Sequence, residues 1–426
     1  MRKVVVNIAR MVLAVVLIFS GFVKAVDPMG TQYKLADYLT AMRLQMLTPD
    51  FLTLGASVLL SAVEFGLGIC LLFGIRKTIS TTVTLLMLLL LTPLTLWIAL
   101  VDPVSDCGCF GDALVLTNWQ TFGKNIVLLA MALIVWKWPH DIVRFISTSS
   151  QWIATNYSAI FILGLSGWSL YDLPYLDFRP YHIGTDLKTG WQKMMNGEES
   201  PYAEFFIQRT EDGEDITDSL LSQKGYLFLL IAPHVENADD SQLDLINQMF
   251  EYAEDYEYPF YALTASGEKG IDRWRDITGA EYPFCQTDET TLQTIIRSNP
   301  GLVLLKDGVI IRKWSRNSIP DEYELTDRLE KLKIGKMPKE SMSEKIFIIA
   351  LWYILPLLLL TIADRLWAWT KWLKRREQSN KIYQLFKQKT NNEKENRSRQ
   401  LENEPEPARG SGSGQGTEPG HHRSGC

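Results

Sequence analysis

The chain has 426 residues, of which 46% are hydrophobic and 22% charged, a length that suits two or three domains. With mean hydropathy near zero, these values exclude a collagen-like chain, a disulfide-dense mini-domain and a wholly disordered chain. Its 43 basic and 49 acidic residues leave a net charge of −6 with no basic stripe interleaved with aromatics, so nucleic acid is not an expected partner.

The apolar residues are gathered into runs, and a run of roughly 18 or more can cross a bilayer as a helix. The first, residues 4–23, carries Arg10 close enough to one end for its guanidinium to snorkel toward headgroups. Arg2 and Lys3 ahead of it would also suit a cleaved leader, but Lys24 in Val23-Lys24-Ala25 spoils the small-residue cleavage box. Val26-Asp27-Pro28 ends this crossing, and residues 33–47 read as a short amphipathic helix at the interface. Residues 51–73 form a second crossing interrupted by Glu64, and 79–101 a third in which Pro93 predicts a kink. The loop after it reads Asp102-Pro103-Val104-Ser105-Asp106-Cys107-Gly108-Cys109-Phe110-Gly111-Asp112. Residues 119–138, with Lys124 near one end, 152–170 and 346–363 complete six crossings, which imply a lipid bilayer as partner.

Basic residues in short loops mark the cytoplasmic side. Arg2 and Lys3, Arg76 and Lys77, Lys137 and Arg144, and Lys371 to Arg376 fall at alternate ends of successive helices. Six crossings put all of them inside, with both termini cytoplasmic, and leave the Cys107 loop and residues 175–340 outside, in the periplasm of a bacterial inner-membrane protein. The predicted organisation is a four-helix membrane unit (1–145), a fifth membrane helix (150–174), an outer domain (175–340), a sixth helix (345–366) and a disordered cytoplasmic tail (375–426), whose composition is too polar to bury a core.

The outer domain alternates strand and helix signals. Strands are expected at 226–232 and 258–264, helices at 240–256, 270–278 and 289–297, and a hairpin at 301–305 and 309–314 turning through Asp307-Gly308, followed by a last helix at 320–332. This order, with Ser298-Asn299-Pro300-Gly301 before the hairpin, resembles the C-terminal half of the thioredoxin fold, in which a proline, usually cis, occupies the place of Pro300. Thioredoxins carry a Cys-x-x-Cys pair after the strand matching 226–232. Here that segment reads Ala232-Pro233-His234-Val235-Glu236-Asn237-Ala238, without cysteine, so thioredoxin-type dithiol exchange is not expected of this domain.

The membrane part resembles the DoxX and MauE group of small bacterial membrane proteins. The matching residues are Ser20-Gly21-Phe22-Val23-Lys24 with Asp27-Pro28, Gly30-Thr31-Gln32-Tyr33-Lys34 with Asp37-Tyr38, Glu64, and Asp106-Cys107-Gly108-Cys109-Phe110-Gly111, and the last of these brings MauE closer. The fold class that follows is mixed: a membrane helix bundle with an inserted α/β thioredoxin-like periplasmic domain. The resemblance implies a role in redox assembly, MauE being linked to maturation of a disulfide-rich periplasmic dehydrogenase subunit.

Five cysteines cannot make a stabilising framework in so long a chain. Two cysteines flanking one glycine can close a small strained disulfide, and strain makes a disulfide more oxidising. Cys107 and Cys109 are therefore the candidate catalytic pair, with a structural disulfide as the first alternative and free thiols after it; two thiolates offer no four-ligand metal set. Asp106 and Asp112 beside them should raise the thiol pKa values and favour an oxidant role. The electron acceptor would be a quinone or a buried thiol, and the client a periplasmic protein. Glu64, deep in a crossing, must be protonated or paired, with Arg10 and Lys24 as the available cations. Other readings are a non-catalytic scaffold that recruits a periplasmic partner and, on Glu64 and Pro93 alone, a transporter.

Overall fold

The computed structural model of the protein describes residues 1–102, 108–198, 200 and 205–402, with side chains to 394. Helix α1 (Arg2–Val26) ends at Asp27, whose carboxylate accepts the Gly30 N–H at 2.9 Å and so caps α2 (Pro28–Ala41). Pro28 fits the first turn, where its missing N–H costs nothing, and the cap starts α2 earlier than the predicted residue 33. Helix α3 (Asp50–Phe73) closes on Gly74 in the left-handed conformation. Helix α4 (Lys77–Val101) continues through Pro93, and α5 (Asn118–Lys137) begins on a capping box of Thr117 and Gln120. Helix α6 (Gln151–Tyr171) leads into the α/β domain.

That domain comprises α7 (Leu187–Met195), β1 (Gln208–Arg209), α8 (Thr217–Ser222), β2 (Tyr226–Ile231), α9 (Leu243–Asp255), β3 (Phe260–Thr264), α10 (Glu268–Thr278), β4 (Phe284–Gln286), α11 (Glu289–Ile295), β5 (Gly301–Lys306) and β6 (Val309–Ser315). The sheet order is β1-β4-β3-β2-β5-β6. Strands β2, β3 and β4 are parallel, and β1, β5 and β6 pair antiparallel to their neighbours. Every residue of β2 is buried because both faces of the sheet are covered. Tyr226, Phe228 and Leu230 meet Ile246 and Met249 of α9 and Trp274 of α10. The alternate residues, Leu227, Leu229 and Ile231, meet Leu187 of α7, Leu220 of α8 and Leu292 of α11. The last helix, α12 (Met342–Glu402), returns the chain to the bundle.

Helices α1, α3, α4, α5, α6 and α12 are the six, among the described residues, long and apolar enough to cross a membrane. Val5, Ile8 and Val15 on α1 and Leu86 and Leu90 on α4 are exposed, and this apolar surface is what a bilayer would cover. The architecture is a helical membrane bundle with an inserted thioredoxin-like domain. Met1–Asp364 is one compact unit, and the chain from Arg365 onward forms a second.

Three further expectations change. Residues 320–332 form turns rather than a helix. There the Asp321 carboxylate accepts the N–H groups of Tyr323 and Glu324, and Asp327 that of Arg328, bonds that compete with a helical ladder. Helix α12 continues to Glu402, through residues read from their polarity as disordered; the Lys, Arg, Glu and Gln found there are strong helix formers. Finally Arg10 does not snorkel outward. It is 1% exposed, gives Nη1 to the Val143 carbonyl at 2.6 Å and lies 4.9 Å from the Phe145 ring centre.

Candidate functional site at the domain junction

Glu64 of α3 is buried and paired. Lys24 Nζ of α1 lies 2.8 Å from its Oε2, and Ser20 Oγ donates to the same oxygen at 2.7 Å. Arg10 takes no part, since it is committed to the 143–145 segment. Two charges can face each other here because α1 and α3 approach very closely: a Cβ on Gly21 would collide with the backbone of Ser61 and Phe65. Lys24 Nζ also donates to the Cys109 carbonyl at 2.8 Å and to Ser20 Oγ at 2.7 Å. The ion pair therefore grips the backbone of the loop that carries Cys109.

Cys107 lies outside the described residues, as does Asp106. Gly108 and Gly111 flank Cys109 and Phe110 at φ of +60° and +52°, a conformation that suits glycine. Phe110 is buried and packs on Phe19 at 5.3 Å between ring centres. Asp112 faces Arg297, with Nη2 and Oδ2 4.0 Å apart, so its charge is shared with a cation rather than directed wholly at the thiols. Burial raises its carboxyl above the usual value.

Arg297 follows α11 and reaches across to the membrane unit. Its Nε lies 3.1 Å from both carboxylate oxygens of Asp27, its Nη2 donates to Oδ2 at 2.9 Å, and its Nη1 donates to the Gln293 carbonyl. The guanidinium also lies 5.3 Å from the Tyr33 ring centre. Burial disfavours charge on Asp27, but Arg297 and then Arg179 outweigh it and hold the carboxyl below its ordinary value. A Cβ on Gly30 would strike both the Asp27 carboxylate and Arg297, so this close approach needs glycine.

A second anchor fixes the segment between α6 and the domain. Asp177 accepts from Arg179 Nε at 2.7 Å and from Lys313 Nζ of β6 at 2.9 Å, and these cations overcome its burial and hold its carboxyl far below the ordinary value. Asp172 accepts from the hydroxyls of Ser315 and Ser318.

Between domain and bundle lies a cavity of about 910 Å³. Gly108, Gly111 and Asp112 line it from the membrane side, and Pro233, His234 and Asn299 from the domain. Asn299 Nδ2 donates to the His234 carbonyl at 2.8 Å, tying the segment after β2 to that before β5. The Asn299–Pro300 peptide bond is cis. His234 Nε2 pairs with Glu289 Oε1 at 2.9 Å. The domain thus turns the end of its sheet where a thioredoxin would carry its cysteines toward the Cys109 loop. Cys285 sits on β4, separated from β5 by β3 and β2. It is fully buried, which pushes its thiol up to about 11.

Residues 2–137 match the family described as methylamine utilisation protein MauE. The membrane unit carries a MauE-family domain. Among solved structures the chain is similar to the solution structure of a proposed protein disulfide isomerase from Bacteroides thetaiotaomicron, at 16% identity over 28% of this chain and 77% of that one, with a TM-score of 0.21. Comparison with curated proteins gives no match.

Arg297 and Asp27 of the junction were missed as a pair by sequence reasoning. Asp-Pro signalled the end of the first crossing, but nothing local to Ile296-Arg297-Ser298 signals a partner 270 residues away.

Proposed function

We propose that this chain is a thiol-redox component of the bacterial inner membrane, in which Cys107 and Cys109 exchange electrons with a periplasmic client and so support assembly of that client. The MauE-family domain with its flanking residues (1–145) holds the cysteine loop. Residues 150–174 and 345–366 tether the domain of 175–340, which lies in the periplasm, and both termini, including 375–426, are cytoplasmic. The observation that carries this reading is the cavity that places Pro233, His234 and Asn299 opposite Gly108 and Gly111, on either side of Cys109. A domain without cysteine in 232–238 has no thiol to exchange at that end of its sheet, but across this cavity it can guide a client segment to one. A client thiol attacks one sulfur of the Cys107–Cys109 disulfide, forming a mixed disulfide and releasing the other as thiolate; a second client thiol resolves it, and the client leaves oxidised.

The Arg297–Asp27 pair supports a second reading, a non-catalytic scaffold, because it fixes the domain against the membrane unit. Complementation separates the two. Cys107→Ser and Cys109→Ser should each abolish function in the host, and one should accumulate a mixed disulfide with a periplasmic client. Full complementation by both variants would leave the scaffold reading in place.

A further inference from the structure

A smaller chamber of about 110 Å³ lies inside the MauE-family domain, below the Cys109 loop. Its walls are largely apolar, with Leu17 of α1 and Met87, Leu91 and Leu94 of α4, and its polar end holds Lys24, Lys34, Glu64, Cys109 and Lys124. A wholly apolar cavity of about 150 Å³ accepts benzene, and this chamber, smaller at about 110 Å³, is of the same order. Helix α3 packs chiefly on α1 and α4 chiefly on α5, which leaves a seam between the two pairs. Leu60 on one side of that seam and Met87, Leu91 and Leu94 on the other are only half-buried, so the chamber wall extends to the lipid-facing surface.

The charges at the polar end differ in kind. All three ammonium hydrogens of Lys24 are taken up by Ser20, Glu64 and the Cys109 carbonyl. Lys124 Nζ, by contrast, lies 4.1 Å from the centre of the Phe110 ring and has no carboxylate or hydrogen-bond partner among the described residues. A cation without a counter-charge at the polar end of a largely apolar chamber favours a ligand with an electron-rich oxygen that gains negative charge as it reacts.

We propose that the chamber takes the head group of a lipid-soluble quinone, admitted through the α3–α4 seam, with one carbonyl oxygen toward Lys124. This rests on the thiol-redox reading above and names its electron acceptor. After a client has been oxidised, the Cys107 and Cys109 thiols re-form their disulfide and give up two electrons and two protons. The quinone takes up both and leaves as quinol, and Lys124 stabilises the oxygen that charges first.

The test uses the full chain in lipid nanodiscs, reduced and freed of reductant, with decylubiquinone as probe. Quinol should form in a 1:1 ratio to the chain, read by ultraviolet absorption, as both thiols disappear from maleimide trapping. Leu91→Trp, which fills the chamber from the lipid side, should slow this at least tenfold. A photoreactive quinone should label α1, α4 or α5 of the unaltered chain, a readout that needs no variant to fold. If the pair exchanges with oxidised glutathione but makes no quinol, or if labelling falls only outside these helices, the quinone assignment is overturned and the thiol-redox reading stands. If the pair reacts with neither oxidant, both fall.

Discussion

Arg297 grips Asp27 through a two-nitrogen fork, Nε at 3.1 Å and Nη2 at 2.9 Å, and this contact joins the α/β domain to the MauE-family domain. Their side chains are 7% and 20% exposed, so little water is at hand to replace either partner. Removing one should leave the other charge poorly solvated, at a cost of about 2–5 kcal/mol to docking. Arg297→Ala and Asp27→Asn are expected to raise hydrogen exchange in residues 289–300, and Arg297→Lys to recover only part of the protection, because lysine restores the charge without the fork. Unchanged exchange in Arg297→Ala would show that the junction is held elsewhere.

The same pair sets a pH dependence. Although burial opposes charge on Asp27, Arg297 and Arg179 hold its carboxyl below the usual range. A carboxylate depressed in this way contributes stability that is fully present above its unfolded value of about 3.9 and is lost as pH falls through the lower folded value. Limited proteolysis should therefore find the junction equally resistant from pH 8 to pH 5 and weakening only below about pH 4. Weakening already between pH 7 and 6 would contradict the assignment of this dependence to Asp27.

Gly21 sets the spacing between α1 and α3, and with it the Lys24–Glu64 pair. Gly21→Val should force the helices apart, lower the unfolding temperature in detergent and expose the pair. Gly164 of α6, where an added Cβ meets nothing within 4 Å, is the control. Gly164→Ala should be neutral or stabilising by up to about 1 kcal/mol. Equal behaviour of the two variants would contradict the close-approach argument.

Much of this architecture was legible because run length and period are local properties. The six long apolar helices, the buried strand at Tyr226–Ile231 and the hairpin through Asp307-Gly308 all follow from neighbouring residues. The short pieces preceding β2, namely α7, β1 and α8, went unread: β1 is two residues long and earns its place only by pairing with β4. The site was legible in part. Glu64 declared its need for a partner, but the choice of Lys24 over Arg10 depends on depth along α1, and the role of Lys24 on the Cys109 carbonyl depends on a loop fold that no periodicity encodes. Arg297 and Asp27 could not be matched from sequence because nothing in either local segment specifies the other.

The membrane orientation proposed from the basic loops admits a direct check. Reporter fusions after Lys77, Arg144 and Lys374 should report the cytoplasm, and fusions near Asp112 or Gly267 the periplasm. A cytoplasmic signal from Gly267 would invert the arrangement and remove the oxidising compartment that the cysteine pair requires.

The most direct measurement is thiol trapping of Cys107 and Cys109 in native membranes, before and after a mild reductant. The thiol-redox account expects both cysteines to escape trapping at first, to be trapped together after reduction, and to escape again once the reductant is removed and an oxidant is supplied. Two thiols trapped from untreated membranes, or a disulfide that yields only after the protein is unfolded, would contradict it.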